Sequence, residues 1–185
     1  MPTYASSPYN GKQMTEHIRY AFGQSSLGEF LAACSEQGLV AFEFVDEKGR
    51  RVQRLMERFP DAELSEDSAS LQKTLAALSA SVDHPERPCA LALDIRGSDF
   101  QKRVWEILRR IPAGETTYYG AVAAELGSTD ARAATDAIAD NPIAILIPCH
   151  RVIKKDGSLS GYRGGVNRKR ALLSREQQAS AFNLK

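Results

Sequence analysis

The sequence predicts an α/β protein of the α+β kind, a small sheet-and-helix N-terminal domain followed by a mostly helical one. Three observations predict it. Short β-type runs punctuated by glycine fill the stretch from Ile18 to Phe44, apolar residues recur at helical spacing from Arg51 onward, and the charge balance reverses near residue 95. Residues 1–95 carry 9 Lys and Arg against 14 Asp and Glu, a net of −5, whereas residues 96–185 carry 15 against 9, a net of +6. At 185 residues, 43% of them apolar, the chain can bury a real core and fits one domain or two small ones.

Residues 1–15 hold Pro2, Pro8 and Gly11 among polar residues without periodicity and read as a flexible leader or the remnant of a linker. Strands are expected at Ile18–Phe22, Phe30–Cys34 and Leu39–Phe44, separated by Gly23, Gly28 and Gly38, forming a small antiparallel sheet. Two amphipathic helices follow. Val52, Leu55, Met56 and Phe59 mark the first, which Pro60 ends, and Leu71, Leu75, Leu78 and Val82 mark the second. The turn His84-Pro85-Glu86-Arg87-Pro88 leads into Leu91–Ile95, a strand or extended connector, and the N-terminal domain, 16–95, ends there.

In the second domain, 96–185, Ser98 or Asp99 can cap a helix carrying Phe100, Val104, Trp105 and Leu108, which stops before Pro112. Trp105 reads as core. Tyr118–Leu126, the turn Gly127-Ser128-Thr129 and Asp130–Ala139 read as helix, turn, helix, with Thr129 able to cap the second helix. Such hairpins are also generic packing units, and the modest basic excess of this half points only weakly to a polyanion.

Asn141-Pro142 then breaks the helix, and the apolar run Ile143–Ile147, followed at once by Pro148-Cys149-His150-Arg151, is expected to deliver Cys149 to a turn. A thiol attacks only as thiolate, and at an ordinary pKa of about 8.5 little thiolate exists at neutral pH without a base or a positive charge nearby. His150 and Arg151 are suitable assistants. In an extended strand neighbouring residues face opposite sides, so His150 need not touch the sulfur, and a bridging water serves as well as a contact. The local pattern leaves a second reading open, in which Cys149 is a buried small hydrophobe and His150 its satisfied polar neighbour.

Cys34, Cys89 and Cys149 are odd in number, widely spaced and free of Cys-x-x-Cys pairs, so neither a disulfide framework nor a zinc ribbon is expected. Cys34 and Cys89 read as structural. His17, Cys34, His84 and Cys89 are metal ligands by type only, and no metal or other cofactor is expected. No apolar run approaches the roughly 18 to 20 residues of a membrane span, and the polar start lacks a signal-peptide core, so a cytoplasmic setting without membrane contact is expected.

The segment Ile147-Pro148-Cys149-His150-Arg151-Val152, with Asn141 eight positions before the cysteine, resembles the signature of the O6-alkylguanine-DNA alkyltransferase family. The resemblance extends through Phe100-Gln101-x-x-Val104-Trp105, Ile111-Pro112-x-Gly114-Glu115-Thr116, Arg132-Ala133, Asn141-Pro142-Ile143 and Ser160-Gly161-Tyr162-Arg163-x-Gly165. Leu159–Arg163 and Leu91–Gly97 are similar to the C-terminal alkyltransferase module of Ada-like bacterial regulatory proteins, of which the chain would then be a part. The first half adds little to the resemblance.

The resemblance implies a ribonuclease H-like N-terminal domain and a winged helix-turn-helix-like domain carrying the cysteine. It implies direct repair without a cofactor, in which an O6-alkylguanine rotates out of double-stranded DNA and its alkyl group passes irreversibly to Cys149, once per molecule. O4-alkylthymine is left open as a second substrate. By the same resemblance His150 is a water-mediated base, Glu176 the carboxylate that orients it, Asn141 part of the network holding the cysteine segment, and Tyr119 a proton donor toward N3 of the departing guanine. Arg132 is implied to enter the base stack as a finger, on a helix presented to the minor groove. Ala131, Thr129, Arg151, Tyr162 and Arg163 are expected as further DNA contacts, and the protein as a monomer.

The turn Gly127–Asp130 is one residue shorter than the family's, so Tyr119 rather than Tyr118 is aligned on Gly114-Glu115 spacing. Asp130, Asp136 and Asp140 on the DNA-facing helix would repel phosphates unless they face away or pair with arginines. Two rival readings are a lesion sensor that flips alkylguanine without repairing it, a class lacking the cysteine, and a cysteine hydrolase, which normally places its histidine far from the nucleophile.

Overall fold

The computed structural model describes residues 15–128, 130–159 and 161–183. The leader expected before residue 15, and Thr129 and Ser160, lie outside the described residues. Strands β1 (Glu16–Ser25), β2 (Gly28–Cys34) and β3 (Leu39–Phe44) form the expected antiparallel meander. Helix α1 (Lys48–Arg58) follows, then β4 (Ala62–Glu66), which pairs parallel to β1 and completes a sheet in the order β3-β2-β1-β4. β4 was not expected. Its sequence Ala-Glu-Leu-Ser-Glu has no β-branched or aromatic residue, and it sits at a sheet edge where little of it is buried.

β2 is buried on both faces. Phe30 and Ala32 point into one core with Phe42, Phe44, Leu78, Trp105, Ile143 and Leu172, while Leu31 and Ala33 point into another with Ile18, Val40, Leu55 and Phe59. The period of two along the strand sends alternate side chains to the two cores, so a doubly buried strand reads as a continuous apolar run. The larger core joins the sheet and helix α2 (Gln72–Asp83) to the helices beyond residue 95.

The connector at 91–95 runs parallel beside the start of β3: Leu39 N–H donates to Ala92 O, and Asp94 N–H to Leu39 O, each at 2.9 Å. A Cβ at Gly38 (φ +152°) would lie 2.5 Å from Ala92 O, so only glycine fits beside the connector.

Helix α3 (Asp99–Arg109) starts with a reciprocal capping box, Gln101 N–H to Ser98 Oγ at 3.1 Å and Ser98 N–H to Gln101 Oε1 at 2.9 Å. Its Trp105 is fully buried and donates Nε1–H to Ala137 O at 2.8 Å, tying α3 to α5 (Ala131–Ala139). Between them lie the two-residue strand β5 (Thr117–Tyr118) and α4 (Tyr119–Glu125). Asp130 caps α5, its Oδ1 accepting from Ala133 N–H at 3.0 Å; the cap expected of Thr129 falls to its neighbour. Strand β6 (Val152–Ile153) pairs with β5, and the chain closes with α6 (Val166–Asn183). Among the described residues no helix is long and apolar enough to cross a membrane.

Candidate active site

The segment after α5 is clamped onto the sheet. Phe42 N–H donates to Pro142 O at 2.9 Å and Ala144 N–H to Phe42 O at 2.8 Å, so β3 carries the start of the cysteine segment as if it were a short extra strand. Ile145 then adopts φ +69°, a left-handed conformation costing a β-branched residue on the order of 1–3 kcal/mol. Asn141 holds the tightened loop from within. Its Oδ1 accepts from Ile143 N–H at 3.0 Å, and its Nδ2 donates to Ile147 O at 2.7 Å and to Cys149 Sγ at 3.1 Å.

Cys149, His150 and Arg151 form one 3-10 turn, at the place where the apolar run was expected to deliver the cysteine to a turn. With about three residues per turn, successive side chains diverge by about 120°, which points the three into different surroundings. Cys149 is half-buried on a cavity of about 620 Å³ whose apolar walls include Phe42, Phe44, Tyr119, Ile138 and Tyr162.

His150 faces the interior and is fully buried, its Nε2 lying 2.8 Å from Glu176 Oε1. An ionised carboxylate only accepts, so Nε2 carries the proton and donates, leaving Nδ1 as the basic nitrogen. Nδ1 is buried without a protein partner among the described residues.

Arg151 was expected to touch DNA. Instead it is buried, and its guanidinium holds Glu176 through Nε (3.1 Å to Oε2) and Nη2 (2.8 Å to Oε1) while Nη1 donates to Ile111 O at 2.6 Å. A side chain so committed is withdrawn from the surface, and the correction has a physical reason: a fully buried carboxylate needs a cation beside it. Gly114, in a left-handed turn (φ +84°), adds an N–H to Glu176 Oε2 at 3.3 Å, and a Cβ there would run into Ser180.

α6 delivers Glu176 along a stripe. Lys169, Leu172, Leu173 and Glu176, at helical spacing, are all buried. Lys169, 1% exposed, donates to Val152 O at 2.5 Å, beside the cysteine turn. It was missed in the sequence, where a lysine in Asn-Arg-Lys-Arg reads as surface, although its place on the same stripe as Glu176, two turns before it, was a signal.

Burial pushes the Cys149 thiol above its ordinary range. The Asn141 amide and the charges of Lys169 and Arg163 oppose that rise without cancelling it. Burial likewise pushes His150 below its ordinary range, against the pull of Glu176. Burial alone would raise Glu176, but hydrogen bonds from His150 and Arg151 hold it below the usual carboxylate range. The resting site is therefore a neutral thiol, a neutral imidazole and an ionised carboxylate, a nucleophile that requires a base and a base poised to accept a proton.

Tyr119 lines the cavity, while Tyr118 is 41% exposed and outside its lining. Tyr162 and Arg163 lie on the cavity wall rather than on the α5 surface. The Tyr162 hydroxyl is buried without a partner among the described residues, and Arg163 pairs with Glu43 and Asp140, each at 3.3 Å. Ala131 and Arg132 are exposed on the first turn of α5. Of the three aspartates on that helix, Asp130 caps it and Asp140 pairs with Arg163, while Asp136 is exposed. His17, Cys34, His84 and Cys89 do not converge, and no cluster of three or more metal-ligating side chains forms among the described residues.

Two family profiles match the chain, the 6-O-methylguanine DNA methyltransferase ribonuclease-like domain over residues 18–95 and the DNA binding domain of the same family over 99–178. The Escherichia coli bifunctional transcriptional activator/DNA repair enzyme Ada is 43% identical over 162 residues, which cover 87% of this chain and 46% of that protein. The chain thus spans about half the length of the Ada relatives it matches. The inducible methylated-DNA–protein-cysteine methyltransferase of Bacillus subtilis is 36% identical over 157 residues, 82% of this chain and 86% of that protein. The crystal structure of Mycobacterium tuberculosis OGT in complex with DNA superimposes with a TM-score of 0.72 at 36% identity, covering 86% of this chain and 93% of that one. With both halves matched in order, and a relative of similar length aligned nearly end to end, the chain belongs to the 6-O-methylguanine DNA methyltransferase family.

Proposed function

We propose that this chain repairs alkylated DNA directly, moving the alkyl group from O6 of a flipped guanine to Cys149 in a single, irreversible turnover. The observation that carries the reading is the relay at the cysteine turn. Asn141 touches Sγ, and the adjacent His150 has one nitrogen fixed by Glu176 at 2.8 Å and the other without a partner among the described residues. The family membership and the names of its relatives supply the substrate class.

In the proposed step the Cys149 proton leaves through a water to His150 Nδ1, and Glu176, itself held in place by Arg151, stabilises the imidazolium. The thiolate attacks the alkyl carbon in line, the S–C bond forms and the C–O6 bond breaks, and the bonding pair passes to the purine. Tyr119 protonates the departing base toward N3, and the proton held by His150 returns through solvent to the tyrosinate. The products are neutral guanine and a thioether, a stable linkage that no neighbouring group is placed to cleave.

α5 is the element that would enter the minor groove of double-stranded DNA, with Arg132 filling the place of the rotated base and Ala131 at the groove floor. Tyr162 and Arg163 would meet the flipped base in the cavity. The division into domains at 16–95 and 96–185 and the monomeric state belong to the same proposal, as does a place within a larger Ada-like protein.

The test is incubation with duplex DNA bearing labelled O6-methylguanine, followed by peptide mass mapping. Label on the peptide containing Cys149, with guanine restored, is the expected result. An unmodified Cys149 beside a persisting lesion overturns the reading.

A further inference from the structure

Helix α1 stands apart from the acidic half that contains it. Its eleven residues hold Lys48, Arg50, Arg51, Arg54 and Arg58 against one acid, Glu57. Arg51, Arg54 and Arg58 are separated by three and four residues, so they share one helix face. That face borders the C-terminal half. Arg51 lines the Cys149 cavity, Arg54 and Arg58 line an adjoining polar cleft of about 530 Å³, and Arg163 lines both, which makes the two spaces continuous along an arginine row.

The acids of this cleft are largely engaged by other residues that line it. Glu16 accepts from Arg96 Nη1 at 2.8 Å, and Asp140 pairs with Arg163 and accepts from Gln101, both at 3.3 Å. Asp61 remains, exposed, among the lining residues. Among the described residues no carboxylate lies within ion-pair distance of Arg54 or Arg58. The half-buried Arg58 guanidinium donates to a backbone oxygen, Arg96 O, at 3.3 Å. Burial disfavours its charge and the neighbouring Arg163 and Arg54 disfavour it further, against the support of Glu43 and Asp140. Guanidiniums crowded this way are relieved by an anion that bridges them, and phosphate matches their forked geometry.

We infer that this cleft seats a phosphate of the DNA backbone, so that the N-terminal half holds the same duplex that α5 engages. The inference rests on the DNA-repair reading above. Asp140, at the end of α5, lines the cleft, and Arg132 lies eight residues earlier in the chain, which is about 12 Å along a helix at 1.5 Å per residue. The seat is therefore a few nucleotides from the rotated base.

The test measures affinity for undamaged duplex DNA against salt concentration for the unaltered protein, Arg54→Gln and Arg54→Gln/Arg58→Gln. Each lost phosphate contact is expected to lower the slope of log affinity against log salt by about 0.9, so the double variant loses nearly two. Dealkylation of free O6-benzylguanine, which has no backbone, is expected to be unchanged in both variants. An unaltered salt slope with that dealkylation intact overturns the inference. Inorganic pyrophosphate that binds the unaltered protein but not the double variant, at equal duplex affinity, overturns it in favour of a small-anion site. Should the double variant fail to fold, the exposed Arg54→Gln change decides on its own slope. Failure of the unaltered protein to dealkylate benzylguanine would instead count against the repair reading.

Discussion

The interior around His150 and the outer turn of α5 solve opposite problems. At the first, every charged group is buried and held: Glu176 receives bonds from His150, Arg151 and Gly114, and the one polar ring atom left over among the described residues is the buried His150 Nδ1. At the second, Ala131 and Arg132 stand exposed, and among the described residues no side chain holds Arg132. The difference separates chemistry from delivery. A proton relay works only if its members are fixed before substrate arrives, whereas a residue that must enter a base stack is ordered by the DNA itself. Substitutions in the two regions should therefore divide according to whether the substrate is a duplex or a free base.

The largest effect is expected at the interior. Cys149→Ala should abolish transfer to the protein on every substrate while leaving affinity for alkylated duplex within about threefold, since Sγ lies on the cavity wall and not on α5. Gel shift beside peptide mass mapping checks both halves, and a residual transfer would break the comparison at its root.

His150→Gln should follow, slowing dealkylation of duplex and free base alike by roughly 10²- to 10⁴-fold, the range for loss of a positioned base. The pH dependence carries a sign. Because burial lowers His150 below its ordinary 6.5, the neutral base and its contribution to stability are present above about pH 6.5. Both are lost as pH falls through the depressed native value. Glu176, ordinary value 4.5 and also lowered, adds a second loss of stability as pH falls below about 4.5. Denaturant unfolding followed from pH 8 down to about pH 2 should show both steps in the unaltered protein and only the lower one in His150→Gln.

How far the two regions could be read in the sequence also differs. The three antiparallel strands, α1 to α3 and the helix-turn-helix follow from periodicity and punctuation, because each is a local element with a conspicuous apolar face. Cys149 was visible as a candidate from its neighbours His150 and Arg151, but the carboxylate behind them was not. Glu176 comes from α6, 26 residues after His150, and became nameable only through resemblance, since nothing local marks a glutamate in Arg-Glu-Gln-Gln as buried. Arg151 was misplaced for the same reason: an arginine beside a reactive cysteine in a basic half looks like a DNA contact until the fold shows a carboxylate behind it. Strand β4 escaped because edge pairing leaves no periodic trace, and the 3-10 form of the cysteine turn because one turn of any helix is too short to have a period.

On the α5 side, Arg132→Ala should slow repair of duplex lesions by about 1–3 kcal/mol in the barrier, roughly 5- to 150-fold. Dealkylation of free O6-benzylguanine should barely change. Single-turnover rates on the two substrates make the comparison, and equal losses on both would remove Arg132 from the role of finger and erase the proposed division between chemistry and delivery.

The smallest effect sharpens that division. Asp130→Ala removes the carboxylate that accepts from Ala133 N–H at 3.0 Å and so uncaps the helix that carries Arg132. Loss of such a cap is expected to cost about 1 kcal/mol of stability, read as a lowered denaturant midpoint with an unchanged slope. It also removes a negative charge from the face offered to phosphates, which favours duplex binding. If the cap matters chiefly for presenting Arg132, duplex repair falls although overall affinity rises, and repair of the free base is unaffected. A parallel rise in affinity and duplex repair would mean instead that α5 is ordered by DNA whether or not its first turn is capped, and that the delivery region needs even less internal support than the contrast with the His150 interior implies.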